Sequence, residues 1–133
     1  MTADHIQYSH APLKIASSAA ILRLMERVRG LQAVVVSTED GFEVAAYAEN
    51  KAQTRRLAAM ASSLAALCDV AGEESQLGPC DNITISAADG HIVLLKIPRL
   101  DLPLTLSVVA RKDTVIGQVL YFARITVKEL ALA

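Results

Sequence analysis

The sequence predicts an α+β fold in which helices flank a central, five-stranded and mostly antiparallel sheet. Two stretches carry nearly the same pattern, VVVSTEDGFEVAA at 34–46 and ITISAADGHIVLL at 83–95. In each, an apolar run leads into Asp-Gly, a pair that favours the positive backbone dihedrals of a tight hairpin turn, and a second apolar run follows. Segments with helical spacing precede the first hairpin, separate the two hairpins and end the chain.

The first predicted helix covers residues 13–29, where apolar side chains recur at spacings of three and four. Pro12 suits the start of this helix and Gly30 suits its end. From Leu31 the period changes to two, so the first hairpin is expected to begin there and to return along residues 42–48.

The second predicted helix covers residues 50–77 and has the strongest helical signal in the chain. Leu57, Met60, Leu64 and Leu67 repeat at three and four, while Ala and Ser form much of the remaining surface. Gly78-Pro79 is expected to stop it.

The second hairpin is predicted over residues 82–97, a fifth strand over 102–110 and a last helix over 114–132, with Asp113 or Thr114 as its cap. The resulting order is αββαβββα. A helix follows the first hairpin and a strand follows the second, so the similarity reflects hairpin chemistry and not a repeated unit.

Length and charge limit the function classes. The 133 residues suffice for one domain, expected over 13–133, with 1–12 as a flexible N-terminal extension. A net charge of −1 gives no basis for binding nucleic acid or anionic lipid. The chain lacks a run of roughly 18 apolar residues, and its first ten residues lack a signal peptide's pattern, so no membrane insertion and a cytoplasmic location are expected.

No cofactor or metal site is predicted. A phosphate-binding loop needs closely spaced glycines that open a helix, whereas Gly72 and Gly78 are followed by Pro79. The histidines lack the short spacing of metal ligands and are read as surface or turn residues; they are His5, His10 and His91.

Catalytic residues are not predicted either. Asp40 and Asp89 precede glycines in hairpin turns, which explains them without an acid–base pair. Ser37 and Ser86 lie on strands without a nearby base. Cys68 and Cys80 are expected to be two buried thiols, because a cytosolic chain seldom carries a structural disulfide and no second cysteine pair supports zinc.

Two surfaces favour self-association. The strand at 81–86 is expected at a sheet edge, where unpaired backbone groups can pair with another chain. The Ala/Ser-rich side of helix 50–77 permits close approach of a second helix, and two copies could join around a two-fold axis. The alternative is that this small-residue side packs against the chain's own sheet.

The blocks VVVSTEDGFEVAA, RRLAAMASSLAALCDVAGEESQLG, NITISAADGHIVLL and LTLSVVARKDTVIGQVLYFAR, taken in this order, resemble the roadblock/LC7 superfamily over residues 13–132. This group includes roadblock-type dynein light chains, Ragulator-type endosomal scaffolds and bacterial partners of gliding-motility GTPases. The resemblance implies a profilin-like αββαβββα sandwich without catalysis of its own. It also implies a homodimer that binds and regulates or localises a small Ras-like GTPase.

The resemblance further implies that the third strand and second helix form the dimer interface. In this sequence those residues are Leu57, Met60, Ala61, Leu64, Ala65, Cys68, Asp81, Asn82, Ile83, Thr84, Ile85 and Ser86. The candidate partner contacts are Arg55, Arg56, Arg99 and Arg111. An arginine finger is one alternative for them, and solvated surface charge is the other.

Two other function classes stay open at this point. A structural adaptor of a motor or membrane-associated complex would bind its partner without regard to nucleotide state. A small-molecule sensor of the PAS or GAF kind would need an internal cavity, which the small alternating residues disfavour.

Overall fold

The computed structural model describes the backbone of residues 3–133 and the side chains of residues 11–133. Its elements follow the predicted αββαβββα order. They are α1 (Ala3–Arg27), β1 (Leu31–Thr38), β2 (Glu43–Ala48), α2 (Ala52–Glu74), β3 (Asn82–Ala87), β4 (Gly90–Ile97), β5 (Leu104–Arg111) and α3 (Ile116–Leu132).

The five strands form one antiparallel sheet in the order β2-β1-β5-β4-β3. The two hairpins are joined through β5, which pairs with both β1 and β4. Strand β3 pairs only with β4 and therefore lies at one edge, as predicted, while β2 forms the other edge. The α+β fold class is confirmed.

The sheet separates two helical layers of unequal size. Helices α1 and α3 pack against one face and cover the main core, which includes Leu24, Val34 and Leu106. Helix α2 packs alone on the other face, over a smaller cluster that includes Val35 and Leu57. A helix is about 10 Å wide and five strands span about 20 Å, so a single helix leaves part of its face uncovered.

Helix α1 begins at Ala3 and not at residue 13, so Pro12 lies inside the helix. Of the expected flexible extension, residues 1–12, the backbone of residues 3–12 is thus part of this helix. Residues 1 and 2 lie outside the described residues. At the other end of the chain, the cap position of α3 is Val115, which forms no side-chain capping bond. The predicted caps Asp113 and Thr114 are therefore wrong.

The two cysteines form a Cys68–Cys80 disulfide with their Cα atoms 5.4 Å apart, a normal separation for such a bond. Both residues are half-buried. The expectation of two buried thiols is thus wrong, because the chain turns back at Gly78 (φ +89°) and brings Cys80 alongside α2. This contact joins residues twelve positions apart and could not be read from spacing alone.

Candidate protein-interaction surface

Helix α2 presents an apolar stripe to solvent. Met60, Leu67 and Val70 are all exposed, and Leu67 keeps 65% of its surface accessible. Their spacings of seven and three place them on one side of the helix, with the half-buried Leu64 between them. We call these four residues the α2 stripe. A contiguous exposed apolar surface of this kind is typical of a protein-interaction site.

The edge strand β3 adds a second apolar surface on the same side of the sheet. Ile83 lies opposite Leu94, which lies opposite Ser107, which in turn lies opposite Val35 beneath α2. Residues directly opposite one another in a sheet point to the same face. Ile83, and Ile85 two positions later, therefore face the α2 side, and both are only half-buried.

The predicted interface residues of α2 divide into two groups. Leu57 and Ala61 are buried inside this chain, against the sheet, so they have little side-chain surface left for the dimer interface predicted for them. For these two residues the structure agrees with the alternative, in which this side of the helix packs against the chain's own sheet. Met60 is exposed, and Leu64, Ala65 and Cys68 are half-buried, one to three turns further along α2 than Leu57 and Ala61.

The six predicted strand residues lie together at the sheet edge. Asp81 precedes β3, and the other five belong to it; they are Asn82, Ile83, Thr84, Ile85 and Ser86. Asp81 accepts hydrogen bonds from Arg124 of α3 at 2.9 Å and from the Asn82 side chain at 2.7 Å. The Arg124 bond contributes most, and both bonds lower the pKa of Asp81. The Arg124 bond also connects the start of the edge strand to α3.

The connection between α2 and β3 folds back tightly on the helix. The Leu77 amide donates to the Gly72 carbonyl at 2.8 Å, and Gln76 adopts a positive φ of 59°. A Cβ atom at Gly72 would overlap the backbone carbonyl of Gly78, so glycine permits this close approach. The two candidate surfaces are thereby held beside each other.

Asp69 strengthens the same junction. One carboxylate oxygen accepts a hydrogen bond from the Cys80 amide at 3.1 Å, and the other forms an ion pair with Lys96 of β4. The hydrogen bond from Lys96 has the largest effect and that from the Cys80 amide the next largest, and both lower the pKa of Asp69. One side chain thus ties α2 to the segment before β3 and to the neighbouring strand.

Two of the four candidate partner arginines are engaged within the chain. The Arg99 side chain is largely buried, donates to the carbonyls of Leu130 and Ala133 at 2.6 and 2.8 Å, and pairs with Asp101. Its guanidinium lowers the pKa of Asp101. Arg99 therefore holds the end of α3 in place and has little of its side chain left for the partner contact predicted for it. Arg111 is half-exposed and pairs with Glu49 at 2.6 Å.

Arg55 and Arg56 are exposed in the first turns of α2, and neither forms an ion pair within residues 11–133. The helix has no acidic residue in its first turn, although the N-terminal end of a helix dipole favours negative charge. One backbone amide at this end has a partner, because the Asn50 side chain accepts a hydrogen bond from the Ala52 amide at 3.0 Å. This end of α2 thus carries two exposed positive charges.

The two hairpin aspartates lie at opposite ends of the sheet. Asp40 follows β1 and Asp89 precedes β4, and the register places the end of β1 beside the end of β4 and far from its start. Eight strand residues span about 25 Å, so the two carboxylates cannot share a site. Their interpretation as turn residues is consistent with this separation.

Residues 11–133 contain no group of three or more His, Cys, Asp or Glu side chains arranged to hold a metal ion. A surface groove of about 580 Å³ runs between α2 and the β4–β5 connection, with Ala65, Leu100 and the Asp69–Lys96 pair on its walls. None of the helices in the described residues has the length and apolar character required to cross a membrane.

The family model described as the Roadblock/LC7 domain matches residues 18–99, more than half of the chain. A search of curated proteins gives no significant match.

Solved structures share the fold. A Roadblock/LC7 domain from Streptomyces avermitilis has 18% identity and a TM-score of 0.77, with 85% of this chain and 92% of that one covered. Myxococcus xanthus MglB has 15% identity and a TM-score of 0.78, with 90% and 87% covered. Another Streptomyces Roadblock/LC7 domain has 25% identity and a TM-score of 0.61, with 88% and 96% covered.

Proposed function

Since this chain belongs to the Roadblock/LC7 family, we propose that it forms a homodimer that binds a small Ras-like GTPase and regulates or localises it. Domains of this family act in general as regulatory or adaptor modules without catalysis of their own, and family membership supports that broader role. The observation that carries the proposal is an exposed apolar stripe on α2 together with the unpaired edge of β3 on the same structure.

Dimerisation would satisfy both parts of this surface at once. Pairing of β3 with β3 of a second copy joins the two sheets and satisfies the outward backbone groups of the edge. The same two-fold axis brings together the two α2 stripes above the joined sheets, where Ile83 and Ile85 are only half-buried. A monomer would leave both the apolar stripe and the strand edge in water.

The partner would contact the composite surface of the two α2 helices. Arg55 and Arg56 supply positive charge at one end of each helix, which favours an acidic region of the partner. The chain has no phosphate-binding glycine loop, so in this proposal the nucleotide belongs to the partner. Binding would act by repositioning the GTPase's own residues.

Dimerisation is tested by light scattering of the purified protein across a dilution series. A mass near twice 14.2 kDa at high concentration, falling on dilution, is expected. A mass that stays at 14.2 kDa at every concentration would refute the homodimer.

Partner binding is tested with small Ras-like GTPases encoded in the same genome, each loaded with GDP or with a non-hydrolysable GTP analogue. Calorimetric titration should show at least a tenfold difference in affinity between the two nucleotide states, about 1.4 kcal/mol. Equal affinity for both states would contradict regulation and favour a structural adaptor. Absence of binding to all of them would refute the GTPase proposal.

The arginines allow a matched test of the binding surface. Arg55→Ala with Arg56→Ala should weaken GTPase binding modestly, while Lys14→Ala with Lys128→Ala, two exposed cations on the helices of the opposite face, should not. Loss of stimulated GTP hydrolysis with binding intact would instead indicate that one of the arginines acts on the nucleotide.

A further inference from the structure

The Cys68–Cys80 disulfide lies between the two surfaces proposed to form the dimer. Cys68 belongs to α2, one residue after Leu67 of the α2 stripe, and Cys80 stands two residues before β3. The bond therefore connects the helix to the entry of the edge strand. Both cysteines are half-buried, so neither residue is enclosed in the core.

Strand β3 has few other attachments. It pairs only with β4, and among the described residues neither α2 nor α3 packs extensively against it. Its entry is held by the Asp69 carboxylate on the Cys80 amide and by the Arg124–Asp81 pair on the surface. Surface pairs of this kind contribute little. The disulfide is the one covalent constraint on the strand's position within residues 11–133.

The first half of the α2–β3 connection does not depend on the disulfide. The Leu77–Gly72 hydrogen bond and the close approach of Gly78 to Gly72 fix residues 72–78 against the helix. Opening the disulfide would therefore release the second half of the connection and β3, and leave α2 and the main core in place. The effect is local because the bond closes a short segment of chain.

We propose that the Cys68–Cys80 disulfide is a redox-responsive clamp that holds the edge strand β3 in position, and that the clamp thereby strengthens pairing of β3 in the dimer. The second part rests on the homodimer proposed above. Reduction by two equivalents of a low-molecular-weight thiol breaks the Sγ–Sγ bond and gives two cysteine thiols. The reductant supplies two electrons and two protons and leaves as its own disulfide, and the reverse exchange with that disulfide restores the bond.

The clamp is tested by amide hydrogen exchange in excess oxidised or reduced glutathione, with the thiols counted by alkylation and mass spectrometry. Reduction should speed exchange at residues 81–87 by about tenfold. Strand β2 is the internal control, because it is the other edge of the same sheet and lies far from the disulfide, and its exchange should not change. The Cys68→Ser, Cys80→Ser double variant should match the reduced protein in both buffers.

The dimer dissociation constant is measured in the same two buffers. Reduction should raise it at least about fivefold for the natural sequence and leave the double variant unchanged. Unchanged exchange at β3, or an equal rise at β2, would overturn the clamp. A raised exchange with an unchanged dissociation constant would overturn the coupling to the dimer. A monomer in both buffers would refute the dimer, and the exchange rates would then decide the clamp alone.

Discussion

Replacing Leu67 with Ser is expected to weaken self-association by about 30- to 700-fold. Full burial of a Leu side chain contributes about 1.5–3 kcal/mol, and Leu67 has 65% of its surface available for burial by a partner. Each copy of the chain would thus lose about 1–2 kcal/mol on truncation, and a two-fold dimer loses this twice, or about 2–4 kcal/mol. A factor of ten in the dissociation constant corresponds to about 1.4 kcal/mol.

Leu22→Ser is the matched control for this experiment. Leu22 lies on α1, on the opposite face of the sheet, and is 61% exposed, so its burial differs little from that of Leu67. Both substitutions place Ser in a helix and carry the same loss of helix propensity, about 0.5 kcal/mol. The dissociation constants of both variants are measured by sedimentation equilibrium.

Only the Leu67 variant should dissociate more readily. If Leu22→Ser weakens the dimer as strongly, the dimer contact is not specific to the α2 stripe. If neither variant changes the dissociation constant, the dimer uses some other surface. Circular dichroism of both variants checks that the helices remain folded.

Three further predictions concern the stability of the single chain. Gly72→Ala should destabilise the protein by about 1–3 kcal/mol, because the new Cβ overlaps the Gly78 carbonyl. Gly117→Ala should instead stabilise the protein by up to about 1 kcal/mol, because a Cβ there meets open space. Arg99→Met should cost about 2–4 kcal/mol in urea unfolding, since it removes two charged hydrogen bonds, to the carbonyl of Leu130 in the last turn of α3 and to that of Ala133 just after the helix. The contribution of Asp69, whose pKa is lowered from its ordinary value of 3.8, is present above pH 3.8 and is lost as the pH falls through the lowered pKa. The stability difference between the natural chain and Asp69→Asn should therefore shrink in acid.

Each of these predictions has a contrary outcome. A stabilised Gly72 variant would show that the helix and the returning loop are not in close contact. A loss below about 0.5 kcal/mol for the Arg99 variant would place that guanidinium in solvent. A stability difference for Asp69→Asn that is the same at every pH would mean that the carboxylate is not held in its charged form.

Much of the fold could be predicted from local patterns. The two Asp-Gly turns, the change of period at Leu31 and the stop at Gly78-Pro79 each act within a few residues, so the element order and the number of strands followed from them. The edge position of β3 was predicted from its length and from the helix that leads into it, and the sheet order confirms it.

The candidate site was predicted less completely, because burial depends on contacts between distant elements. Apolar residues at spacings of three and four mark α2, but the same pattern includes the buried Leu57 and the exposed Leu67. Helix α2 has apolar residues on the side that packs on the sheet and also on a side that faces solvent. Periodicity alone could not tell these two sides apart. The engagement of Arg99 within the chain could not be predicted for a similar reason, since its two carbonyl acceptors lie more than thirty positions away in the chain.

The sequence by itself determined the α+β class, the order of the elements and an edge strand next to a long helix, because turn chemistry and apolar period are local properties of the chain. Only the tertiary structure decided which side of α2 packs on the sheet and which side faces solvent. It also decided that Cys80 returns to Cys68, because both outcomes depend on how α2 crosses the sheet and how the chain folds back at Gly72.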